Sequence, residues 1–81
     1  MKYNNQQIFP ETGRFSPRHP PAHVVINPNG GEVQVEADAG DGTWVALKDS
    51  PFTEADSFQF AVGNGRFRFT PTGGAEYGFS A

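Results

Sequence analysis

The sequence predicts an all-β fold: a small antiparallel β-sandwich or flattened barrel of about six strands, preceded by an extended N-terminal arm. Three observations predict it. Apolar and polar residues alternate with period two along much of residues 23–81. Dense turn signals punctuate that alternation: Asn27-Pro28-Asn29-Gly30-Gly31, Ala39-Gly40-Asp41-Gly42, Asn64-Gly65 and Pro71-Thr72-Gly73-Gly74. No segment of useful length carries the 3.6-residue period of an amphipathic helix.

The elements follow in order. Val24-Val25-Ile26 is a short β-branched run that the Asn27–Gly31 turn ends. Glu32 to Asp38 alternates strictly, which sends Val33, Val35 and Ala37 inward and Gln34, Glu36 and Asp38 to water. Thr43 to Lys48 is a third strand, and Asp49-Ser50-Pro51 opens a loop that Phe52-Thr53 closes. Ser57 to Thr70 reads as a hairpin around Asn64-Gly65, the dipeptide suited to a type I′ turn. That register sets Phe60 opposite Phe69 and Val62 opposite Phe67, with Arg66, Arg68, Gln59 and Thr70 outside. Ala75 to Ser80 is the last strand, with Tyr77 and Phe79 on one face. The expected core is Val33, Val35, Phe58, Phe60, Phe67, Phe69, Tyr77 and Phe79.

Residues 1–22 read differently from residues 23–81, which form the expected body. Pro10, Pro17, Pro20 and Pro21 break helices and remove strand donors. Yet Tyr3, Ile8, Phe9 and Phe15 are spaced along the segment, and a solvated linker rarely carries such residues. Fully extended, the arm would reach about 70 Å at ~3.3 Å per residue. Two destinations are open to it. It docks on a neighbouring subunit or an underlying surface, with Ile8, Phe9 and Phe15 as anchors and Arg14 and Arg18 as charge partners, or it folds back over its own domain. Charge permits both. Lys2, Arg14 and Arg18 against Glu11 give the arm +2, and the body carries −5.

The 81 residues suffice for one domain, near the size at which a single core is barely adequate, so a homo-oligomer is expected. The chain has no cysteine, which excludes disulfide scaffolds, thiol nucleophiles and cysteine-based metal sites. An acidic body argues against nucleic acid as partner. No apolar run approaches the ~20 residues of a membrane span, and residues 1–7 lack the apolar stretch of a signal peptide.

Candidate chemistry is sparse. His19 and His23 are four apart, but Pro20 and Pro21 intervene and deny them a shared helical face. Glu36, Asp38 and Asp41-Gly42 only faintly resemble a calcium loop, since the acids are misspaced and position 48 is Lys. Turn formation explains Asp41-Gly42 better. No Gly-rich loop precedes a helix to cradle phosphate. The expectation is a protein that is not an enzyme and needs no cofactor or metal. Arg66 and Arg68 form either a polar contact stripe or an ordinary solvated face. Trp44 is either a core residue or a platform on which a sugar stacks.

Two segments carry a resemblance. Asp41-Gly42-Thr43-Trp44-Val45-Ala46-Leu47 and Gly65-Arg66-Phe67-Arg68-Phe69-Thr70-Pro71-Thr72-Gly73 resemble a pattern of small tailed-bacteriophage virion proteins: a DG-x-W strand, a loop, a G-x-[FY]-R-[FV] strand and a Gly-rich turn. The resemblance spans residues 32–79. It implies a β-sandwich component of the virion: a capsid decoration (cement) protein, trimeric in one form, or a tail, neck or fibre module. It implies the major capsid protein or other virion proteins as partners, and assembly in the cytoplasm of the bacterial host. It implies no catalytic residues. A small glycan-binding sandwich is the competing expectation.

Overall fold

In the computed structural model, which describes residues 2–81, the chain forms eight strands and no helix among the described residues. The strands are β1 (Lys2–Tyr3), β2 (Gln7–Phe9), β3 (Ala22–Asn27), β4 (Glu32–Asp38), β5 (Trp44–Ala46), β6 (Asp56–Phe60), β7 (Phe67–Thr72) and β8 (Glu76–Ser80). They build two four-stranded antiparallel sheets, ordered β1-β8-β3-β6 and β2-β7-β4-β5. The fold is the small all-β sandwich that alternation and turns predict, with eight strands rather than six.

Period two decides the faces. Along β3, Ala22, Val24 and Ile26 are buried while His23, Val25 and Asn27 are exposed. Along β4, Val33 and Val35 are fully buried, and β7 and β8 bury Phe67, Phe69, Tyr77 and Phe79. Pro71 is tolerated in β7 because β2 pairs only with Phe67 to Phe69, leaving that end of β7 an edge where no ladder donor is needed. Phe69 is the aromatic hub, with Tyr77 stacked at 4.9 Å and Phe79 edge-on at 5.6 Å. All eight expected core residues join the cluster, Phe58 and Phe60 as half-buried members. Val24, Ile26 and Val62 add to them.

The connections correct the sequence reading. Every link except β4–β5 crosses from one sheet to the other. The expected β6–β7 hairpin is therefore absent: β6 pairs with β3, placing Phe60 opposite Ala22, and β7 pairs with β4, placing Phe69 opposite Val35. Phe60 still meets the neighbouring strand, edge-on to Phe67 at 5.0 Å, but across the gap between the sheets. Alternation fixes which side chains point inward and is silent on whether the next strand lies beside or above.

The turn is shifted by one residue as well. Gly65 N–H donates to the Val62 carbonyl at 2.8 Å, and Asn64 holds φ 61°, so Gly63 and Asn64 are the central pair. Gly65 is needed for space instead of a positive φ. A Cβ there would lie 2.4 Å from the Phe67 ring and 2.9 Å from the Val62 carbonyl oxygen. Gly65→Val is accordingly expected to cost ~1–3 kcal/mol by overpacking. Asn64→Gly should be close to neutral, and urea melts of both variants check the assignment.

The division into an arm (1–22) and a body (23–81) is also corrected. β1 pairs with β8 and β2 with β7, so the segment supplies one edge strand to each sheet. The sequence pointed to prolines as strand breakers. Lys2–Tyr3 and Gln7–Phe9 are short enough to pair before Pro10 interrupts.

Candidate functional site

The expected arm anchors divide. Phe9 stacks on Phe79 at 4.2 Å and meets Phe69 edge-on at 5.7 Å, inside its own sandwich. Phe15 packs against Phe67 and Phe79, and its backbone exchanges hydrogen bonds of 3.0 Å with Gly65 and Asn64. Arg14 donates to the Asn64 carbonyl and pairs with Asp38 at 3.4 Å. These three residues act within the chain. Arg18 is exposed. Ile8 is half-buried and opposite Arg68, which puts it on the outer face of the second sheet.

Arg66, expected as a surface contact, clasps the N-terminal segment through the carbonyls of Glu11 at 2.8 Å and Pro10 at 3.4 Å. Arg68 does the reverse and organises a surface. The register Ile8–Arg68–Glu36–Ala46 runs across all four strands of the second sheet. Arg68 Nε and Nη2 both donate to Glu36 Oε1, at 2.9 and 2.7 Å. The guanidinium also lies 4.7 Å from the centre of the Trp44 ring. Trp44 is half-buried and outside the core, because its register partner Asp38 places it on the outer face of β5. The structure thus joins Trp44 and Arg68 in one array, with Glu36 holding the arginine and Ile8 beside it. Cation–π and charge-assisted hydrogen bonds fix both side chains in advance of any encounter.

In the β4–β5 turn the acids serve the backbone. Asp38 accepts a 2.7 Å hydrogen bond from Gly40 N–H, and Asp41 accepts one of 3.0 Å from Thr43 N–H. The Gly40 amide, aided by Arg14, holds the Asp38 carboxyl below its ordinary range, and Thr43 does the same for Asp41. Among the described residues, no three His, Asp or Glu groups gather as metal ligands. Burial pushes the Tyr77 hydroxyl well above its ordinary value, and it donates to the Asn5 carbonyl at 2.9 Å.

One polar contact escaped the sequence. His23 Nε2 lies 2.9 Å from Ser57 Oγ on the exposed outer face of the first sheet. The β3–β6 register sets His23 opposite Gln59 and beside Ser57. His19 turns instead to the neighbouring Pro20 carbonyl at 2.8 Å. No carboxylate among the described residues hydrogen-bonds His23 to orient it, so the pair lacks the third member of a nucleophile–base–acid relay. No family model matches the chain, and no curated protein or solved structure shows significant similarity to it.

Proposed function

We propose that this protein is a non-catalytic structural module that docks on a larger protein assembly, as a capsid decoration protein docks on a tailed-phage head. The observation that carries the reading is the Trp44–Arg68–Glu36 array beside Ile8 on one outer sheet face. Tryptophan and arginine dominate interface energies when they are held rigidly and can be desolvated on contact. Docking through this face replaces docking through Phe9 and Phe15, which the core uses. Modest affinity per copy suffices on a repeating surface, because many contacts act together. The resemblance of residues 41–47 and 65–73 to phage virion proteins supports the particular assembly.

The array favours a second reading, in which Trp44 stacks against a sugar and Arg68 and Glu36 hydrogen-bond its hydroxyls. One set of variants separates the two. Trp44→Ala and Arg68→Ala should each weaken co-sedimentation with heads of the encoding phage by about tenfold or more, which is the scale of an anchor residue. Both variants should keep the parent's thermal melt within a few degrees. Unchanged co-sedimentation overturns the docking reading, and Trp44-dependent binding on a glycan array establishes the second.

A further inference from the structure

The side of the sandwich opposite the N-terminal strands is open. There β6 forms the edge of the first sheet. The edge of the second is β5, continued by the chain up to Phe52, which bridges back to Val33. Between them lies a groove of about 440 Å³ floored by Leu47, Phe52, Phe58 and Phe60, all half-buried. Phe52 stacks on Phe58 at 5.3 Å, which keeps the floor ordered.

Three observations specify an occupant. First, β6 pairs with β3 alone, and among the described residues no strand covers its other edge. Second, the other edge strands β1, β2 and β5 have two or three residues each, whereas β6 has five. Edges are ordinarily blunted by charged side chains, Lys above all, by Pro or by a bulge; Asp56-Ser57-Phe58-Gln59-Phe60 has neither Lys nor Pro, and its one charge, Asp56, stands at the strand's first residue. Third, the rim is acidic: Asp49 and Asp56 line the groove with Lys48, and Glu54 stands in the adjoining hollow that shares Asp49, Phe52 and Asp56.

We infer that this groove is a β-augmentation site for an extended peptide segment of a partner protein, with alternating apolar side chains and basic flanks. Backbone pairing with β6 supplies affinity, and the phenylalanine floor receives alternate side chains. The rim acids select Lys or Arg at the ends of the segment. The site is separate from the Trp44 face and stands whether or not that face docks on a capsid.

The test uses the isotope-labelled full chain and an unlabelled nine-residue peptide that alternates Phe and Val with Thr and bears two lysines at each end. Amide shifts on titration should saturate and be confined to β6 and residues 47–56. The same peptide with glutamate ends should bind several-fold more weakly. Glu54→Lys should weaken lysine-peptide binding by about threefold and Lys48→Glu strengthen it by a similar factor, as exposed charge pairs of ~0.2–1 kcal/mol imply. Both positions are exposed, so the fold is preserved. Absence of saturable shifts overturns the inference, as do equal binding of the two peptides or shifts centred on Trp44. Concentration-dependent shifts at β6 without peptide would assign the groove to a second copy and overturn it likewise.

Discussion

Phe69→Ala is expected to leave the protein largely unfolded at 25 °C. Phe69 is fully buried and touches Phe9, Tyr77 and Phe79, so its ring joins the two sheets and the N-terminal strand. Truncating a buried Phe costs ~3–5 kcal/mol through lost transfer energy and the cavity left behind. A core in a chain of this size rarely supplies more than ~3–5 kcal/mol in total. The two magnitudes nearly cancel, and the folded fraction falls with them. Phe69→Leu keeps more of the volume and should cost clearly less than Phe69→Ala, retaining a cooperative melt. Circular dichroism melts of the pair measure the difference. A Phe69→Ala protein that melted like the parent would show that the hub is not where the stability lies.

Those faces were legible because period two leaves no choice: Val33 and Val35, or Phe67 and Phe69, point to the same side whatever strand lies next to them. Partners were not legible. A hairpin and a sheet-to-sheet crossing both bring Phe60 near Phe67, and both accept Asn64 at a positive φ. Long-range pairing decides between them, since β6 takes β3 and β7 takes β4 from distant parts of the chain. Trp44 was ambiguous for a related reason. A large aromatic at the start of a strand suits a core, but β5 is an edge strand whose register with β4 sets Trp44 beside Asp38. The clue was in the charges. Glu36 and Arg68 both fall on outward positions, and opposite charges on neighbouring strands attract one another. The open groove had no local signature, because Phe52 and Phe58 approach each other only once the loop after β5 returns to Val33.

Deleting residues 2–15 is expected to destabilise the sandwich markedly rather than free an inert body. The deletion removes β1 and β2, and with them the covering of β8 and β7. Phe9 lies directly over Phe79 and Phe69, and Tyr3 stacks on Tyr77 at 5.4 Å. Without them, side chains that are now buried would face water along one side of the molecule. The Tyr77 hydroxyl would also lose the Asn5 carbonyl, and the Arg66 guanidinium the carbonyls of Pro10 and Glu11. Tyr3, Phe9 and Phe15 are half-buried, so each contributes ~1 kcal/mol on the scale of ~1.5–3 kcal/mol for full burial. A loss of ~3 kcal/mol lowers the melting temperature of a domain this small by roughly 12–24 °C. The ordering entropy regained by losing the segment reduces that figure, and the newly exposed aromatic surface raises it. Two measurements decide the matter: the thermal melt of the truncated chain, and binding of a dye that lights up on exposed apolar surface. A lowered melt with dye binding, both reversed by adding the missing segment as a peptide, would establish the segment as structural. A truncated chain that melts with the parent and stays dark to the dye would mean that residues 2–15 merely lie on a self-sufficient sandwich, free to be used elsewhere.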